Sequence, residues 1–190
     1  MRTPKLIVVS GPSGCGKTTI AREILRRHPG MQFSVSATTR PMRPGETDGV
    51  DYYFLTRAAF EEKLAQGELA EWEQIYDDFY GTPNSEIHHA LNAGRSIILD
   101  IDVKGALAIR KKYPANSLLI FISPPSLDVL RTRLMNRKTE SAEALRKRLE
   151  RVAMELGLAK EFDRTIVNDE LAAAVRQADE IILQAVGAAA

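Results

Sequence analysis

The chain has a single cysteine, Cys15, in 190 residues, so no intramolecular disulfide is possible, which fits a reducing compartment. It also lacks a net charge of any size: 26 Lys and Arg stand against 25 Asp and Glu, for a formal +1. Nothing in that total calls for nucleic acid or an anionic membrane as a partner. No apolar run approaches the length that crosses a bilayer. The apolar run near the start is too short for a secretory h-region, so a cytoplasmic location is expected. The three histidines, His28, His88 and His89, form no metal or triad spacing, and adjacent His88 and His89 face different ways on a helix. Repeats and low-complexity linkers are absent too. The length suits one compact domain with small inserted lobes.

What the chain does have is a phosphate-binding loop. Leu6-Ile7-Val8-Val9 reads as a buried strand and breaks at Gly11. The following residues fit G-x-x-x-x-G-K-[ST] through Gly11, Gly16, Lys17 and Thr18, and a helical pattern comes next. Glycines let backbone N–H groups converge on phosphate oxygens without a Cβ in the way. The helix start adds unpaired N–H groups and a positive dipole end. Lys17 supplies a cation for the β- and γ-phosphates, and the Thr18 hydroxyl can ligate Mg2+. The ATP-binding candidates here are Gly11, Pro12, Ser13, Gly14, Cys15, Gly16, Lys17, Thr18 and Thr19. Cys15 reads as a small filler; the alternative is a thiol that blocks nucleotide binding when oxidised, since helix N-termini lower thiol pKa.

After the loop, Ile20, Ile24 and Leu25 recur at helical spacing until Pro29-Gly30. A strand is expected over Gln32 to Ser36. TTRPMRPGETDGVDYYF then reads as an exposed loop leading into a short strand at Tyr52-Tyr53-Phe54. Thr56 can cap a helix that stops at Gly67, and residues 69–76 partly alternate like a strand before an Asp77-Asp78 turn. Beyond this block, strands at 96–100, 118–122 and 165–167 alternate with helices at 86–92 and 103–112, from Ser126, over 142–160 and up to Val186. In the helix from Ser126, the residues Leu127, Leu130 and Leu134 share one face. Such alternation predicts an α/β fold with a parallel sheet covered on both faces. The expected division is a core of 1–34, 86–125 and 158–190, an inserted mixed α+β lobe of 35–85, and a helical segment of 126–157.

With GPSGCGKTT, SATTRPMRPGE, DYYF, FYGTP, ILDID and IVND in order across nearly the whole chain, the sequence resembles the guanylate kinases, P-loop nucleoside monophosphate kinases that phosphorylate GMP. The resemblance implies a core, a GMP-binding lobe and a mobile lid, with ATP and GMP as small-molecule partners, Mg2+ beside ATP, no nucleic acid and no membrane. A monomer or small homo-oligomer is expected. Arg40, Arg43, Tyr52 and Tyr80 would hold the GMP phosphate; two guanidinium groups and two phenols suit a dianion. Ser36, Glu71, Thr82 and Asp102 would surround the guanine. A carboxylate such as Glu71 can accept from guanine N1–H and the exocyclic amine, whereas adenine has no N1–H and would leave it unpaired. The hydroxyls of Ser36 and Thr82 can donate to O6 or N7; the family uses serine where Thr82 stands.

Asp100 would reach Mg2+ through water in the manner of a Walker B carboxylate, with Thr18 as the direct ligand. Arg133, Arg137 and Arg148 resemble lid arginines that neutralise charge over the ATP phosphates. The family usually has an arginine-glycine pair ahead of the TES stretch; here Lys138 follows Arg137, which leaves open which arginine reaches ATP. Asn168-Asp169 resembles the segment beside the ATP adenine, and a helix N-cap is the other reading of the pair. The implied catalytic set is Lys17, Arg40, Arg43, Asp100, Arg133, Arg137 and Arg148; no general base is needed, because the GMP phosphate is already anionic. Two rival readings fit part of the pattern. A guanylate-kinase-like protein-binding module would tend to lose the loop that Gly16, Lys17 and Thr18 preserve. A related kinase for a ribosyl phosphate would have no use for Glu71 and Ser36 together.

Overall fold

The computed structural model describes residues 5–135 and 142–187. In chain order the elements are β1 (Leu6–Ser10), α1 (Lys17–Arg27), β2 (Gln32–Phe33), β3 (Ala37–Thr38), β4 (Tyr53–Phe54), α2 (Arg57–Ala65), β5 (Leu69–Ile75), β6 (Asp78–Pro83), α3 (Asn84–Asn92), β7 (Ile97–Asp100), α4 (Val103–Lys112), β8 (Ser117–Ser123), α5 (Leu127–Met135), α6 (Ala142–Gly157), β9 (Arg164–Val167) and α7 (Leu171–Val186).

β1 is buried along its whole length because each of its faces meets a helical layer. Leu6 and Val8 pack with Ile87 and Ala90 of α3 and with Ala106 and Ile109 of α4. Ile7 and Val9 pack on the opposite face with Ile20 and Ile24 of α1 and with Val175, Ala178 and Ile182 of α7. Burying each such aliphatic side chain contributes about 1.5–3 kcal/mol, which is why the run needs no polar alternation. The five strands of this sheet are parallel, in the order β2-β7-β1-β8-β9. With β2 and β7 on one side of β1 and β8 and β9 on the other, the C-terminal end of β1 is the switch point of the sheet, where ligands of such folds settle.

A second sheet of four strands, ordered β4-β3-β6-β5, has its own small core of Ala37, Phe60, Leu69 and Phe79. Phe60 stacks on Phe79 with ring centroids 5.5 Å apart. The expected cap is present: the Thr56 hydroxyl accepts from the Ala59 amide, and α2 gives way at Gly67, where φ is +67°.

Several expectations change in detail. The strand expected over Gln32 to Ser36 ends at Phe33, and the chain crosses to the second sheet, where β3 pairs with β4 and β6. Thr38, expected in an exposed loop, is buried in that strand, and its hydroxyl donates to the Phe79 carbonyl at 3.0 Å. A two-residue strand carries too few positions for a period to show. Leu127 is exposed in the first turn of α5, while Leu130 and Leu134 are buried against Val152 of α6. The long helix stops at Gly157, and a 3-10 turn covers Ala159–Glu161.

Candidate active site

A cavity of about 380 Å3 opens where β1 runs into the loop, and both the loop and the second sheet line it. Gly11, Gly14 and Gly16 all have positive φ there. At Gly11 a Cβ would fall 2.2 Å from the Ile122 carbonyl oxygen, so only glycine fits between loop and β8. Gly16 is the N-cap of α1 and makes no side-chain cap, which leaves the first helical amides directed at the cavity. Lys17 donates to the carbonyls of Gly11 at 2.8 Å and Pro12 at 3.1 Å, folding its cation back over the loop. The Thr18 hydroxyl donates to Asp100 Oδ2 at 2.5 Å, at the end of β7. Burial pushes the Asp100 carboxyl up, against the pull of Lys17, Thr18 and Arg22. This hydroxyl and carboxylate are two hard oxygen donors, the chemistry Mg2+ takes.

Cys15 is fully buried with Ile7, Val9 and Ile20, and burial pushes its thiol up despite Lys17. That burial among apolar side chains is what the filler reading expects. Asn168 donates from Nδ2 to the Cys15 carbonyl at 2.7 Å, and a Cβ on Gly16 would lie 2.4 Å from the same nitrogen. The side chain of Asn168 thus buttresses the loop from behind. The N-cap of α7 is Glu170, so neither Asn168 nor Asp169 caps that helix.

Across the cavity, Arg40 is almost buried over the Tyr52 ring, 5.0 Å from its centroid. Its Nη1 donates to Glu46 Oε2 and to the Pro41 carbonyl, both at 2.8 Å, and its Nη2 donates to Glu46 Oε1 at 2.7 Å. The Arg43 amide donates to the same carboxylate at 2.7 Å. Hydrogen bonding from Arg40 holds Glu46 down to about 2. Tyr52 and Tyr80 meet edge to face at 6.1 Å, and both line the cavity with Arg43.

At the far end, Glu71 of β5 is buried and accepts the Thr82 hydroxyl at 2.5 Å. Burial pushes its carboxyl up to about 7; the Thr82 hydroxyl opposes that, and Asp102 and Glu73 add to it. Thr82 therefore serves Glu71 rather than standing free for a base oxygen. Asp102 is the N-cap of α4 and accepts from the amides of Lys104 and Gly105. Ser36 lines the same cavity. Lys104 pairs with Glu73 at 3.2 Å.

The arginines of 126–157 separate. Arg148 lines the main cavity with Arg151, Val152 and Glu155. Arg133 donates to the Asn168 carbonyl at 3.1 Å and lines a neighbouring cavity with Gly14, Thr19, Asn168 and Asp169. Arg137 lies outside the described residues. Sequence reasoning missed Glu46, Gly105, Arg151 and Glu155 as parts of the site. The signal for Glu46 was available, a carboxylate set among Arg40 and Arg43. Arg151 and Glu155 are spaced i,i+4, the same spacing as an ordinary surface ion pair.

Comparison with known proteins gives one answer. The family profile described as guanylate kinase matches residues 3–185. A guanylate kinase of Gloeobacter violaceus is 50% identical over 180 residues, covering 95% of this chain and 87% of that one. A guanylate kinase of Chlorobium luteolum is 51% identical over 174 residues, covering 92% and 88%. The crystal structure of a guanylate kinase from Anaplasma phagocytophilum superposes with a TM-score of 0.83 at 30% identity, covering 98% of this chain and 88% of that one. A shikimate kinase from Acinetobacter baumannii, at 14% identity and a TM-score of 0.51, shares the fold alone. With the family profile matched over residues 3–185 and relatives about 50% identical over most of their length, the chain belongs to the guanylate kinase family.

Proposed function

We propose that the cavity transfers the γ-phosphoryl group of ATP to GMP, reversibly, giving ADP and GDP. The observation that carries this is the facing of two chemistries across one space: loop amides with Lys17 on one wall, Arg40, Arg43, Tyr52, Tyr80 and Glu71 on the other. The separate four-stranded sheet supports reading 35–85 as the acceptor lobe, and the packing of α5 on α6 supports reading 126–157 as the lid.

On this reading the uncapped start of α1 and the loop glycines hold the donor phosphates, and Lys17 exchanges its two carbonyl partners for phosphate oxygens. Thr18 and Asp100 would hold Mg2+, Asp100 through water; when bound, the ion draws charge from the phosphate oxygens. Among the described residues no cluster of three His, Cys, Asp or Glu surrounds the pair, so the nucleotide and water would complete the shell. Arg40 gives three N–H groups to Glu46 and Pro41, which leaves its Nε–H and one Nη2–H as a side-on fork for the acceptor phosphate. Arg43, Tyr52 and Tyr80 complete that grip. Glu71, aimed by Thr82, accepts from guanine N1–H and amine; Ser36 and Asp102 border the base. Arg148 and Arg137 neutralise the charge passing between donor and acceptor, and Arg133 with Asn168 borders the adenine side. A single buried cysteine and nucleotide substrates support a cytoplasmic setting.

The test is ADP release, coupled to a reporter, with GMP, AMP, dGMP and a ribosyl phosphate as acceptors. GMP is expected to turn over far faster than AMP. Failure of GMP where another acceptor works overturns the assignment.

A further inference from the structure

The base end of the cavity holds more carboxylates than a neutral base needs: Glu71 from β5, Asp102 from the start of α4 and Glu155 from α6, with Glu73 of β5 close enough to raise Glu71 further. Lys104 answers Glu73. Arg151 is a second cation in this group, on the α6 face that also carries Glu155 one turn on. Its Nε donates to Glu155 Oε1 at 2.8 Å, and its Nη2 stands 3.7 Å from Asp102 Oδ1. All three side chains are largely buried, at 18%, 6% and 11% exposed.

The two oxygens of Asp102 are thus divided. Oδ1 takes the Lys104 and Gly105 amides and faces Arg151. Oδ2 lies on the side of Gly105, where a Cβ would be 3.3 Å from it and 2.4 Å from Glu71 Oε2. The absent side chain of Gly105 lets the two carboxylates share that edge. We infer that Arg151 is a positioning residue that holds Asp102 with Oδ2 turned toward the guanine donors, and so ties the α6 helix to the occupied base site. Neutralising position 151 frees Asp102 to turn, under repulsion from Glu71 and Glu155, and cuts that tie. Arg151 itself touches no reacting atom. The inference rests on the reading that Asp102 borders the guanine.

The experiment is a double-mutant cycle of Arg151→Gln and Asp102→Asn, with Arg151→Lys alongside and Arg151→Met as the second neutral variant should the glutamine fail to fold. Asparagine keeps the α4 cap, so the helix itself is preserved. KM for GMP, KM for ATP and kcat are read for each. Arg151→Gln should raise KM for GMP roughly tenfold, leave KM for ATP within about twofold, and add almost nothing once Asp102 is Asn. Arg151→Lys should recover most of the loss. If Asp102→Asn alone leaves KM for GMP unchanged, the base-site reading fails. If Asp102→Asn raises it but Arg151→Gln is as harmful in that background as in the wild type, the Arg151 inference alone fails. Equal damage to both KM values, with lysine no better than glutamine, also overturns it.

Discussion

The two walls of the cavity are made of different material. On the proposed reading, the donor wall is largely backbone, with the Lys17 side chain folded over it: three glycines at positive φ, the uncapped start of α1 and a carbonyl held by Asn168. The acceptor wall is side chains, and three of its charged ones are already engaged: Arg40 with Glu46, Glu71 with Thr82, Asp102 with Arg151 and two amides. A string of phosphates can be met by fixed dipoles, because every phosphate looks alike. A particular base on a particular phosphate needs directional partners, and those must be kept from turning away by groups behind them. Rate is therefore expected to depend on the donor wall, and choice of acceptor on the pairs.

Four measurements would sharpen or break that contrast. The largest effect is expected from Lys17→Met, which should lower kcat by about a thousandfold while calorimetry shows GMP binding within a few-fold of wild type. Loss of GMP binding in that variant would erase the division. Next, Glu71→Gln should reduce the preference for GMP over AMP by about a hundredfold in kcat/KM. The same residue sets a pH dependence. Its carboxyl titrates at about 7 in the fold against 4.5 ordinarily, so below 7 the fold holds a proton that guanine must displace. KM for GMP should therefore fall as pH rises through about 7 and then level, and the glutamine variant should be flat. The sign for stability is opposite: in the window from 4.5 to about 7 the ligand-free fold binds more protons than the unfolded chain, so it loses stability as pH rises there. A wild-type KM that is level across this range would show that Glu71 does not meet the base as a carboxylate. The smallest effect is expected from Glu46→Gln, about a fivefold rise in KM for GMP with kcat nearly unchanged, since one charged hydrogen-bond partner of Arg40 becomes neutral. A fall in kcat on the scale of the Lys17 variant would put Arg40 in the rate and not only in the grip.

How far the sequence could be read follows the same division. The phosphate loop is contiguous and its chemistry lies in spacing, so Gly11, Gly16, Lys17 and Thr18 could be placed by pattern alone. The parallel sheet was legible from buried runs, and all five of its strands lie in or near the expected segments. The crossing from β2 to β3 was not, because two-residue strands have no period and owe their existence to partners far along the chain. In the acceptor wall, residue types could be named but not their internal partners. That Thr82 points at Glu71, and Asn168 at a loop carbonyl, depends on packing between segments 11 and 153 positions apart. Arg151 gave no signal for its place beside Asp102, which lies on another element.

The strut from Asn168 to Cys15 also bears on the order of synthesis. The loop and the acceptor lobe leave the ribosome early, but the residue that supports the loop from behind arrives only with β9, the last strand of the sheet. A nascent chain that displays every residue of the nucleotide motif still has its Cys15 carbonyl unsupported. The loop gains this support only once the last strand of the sheet is in place.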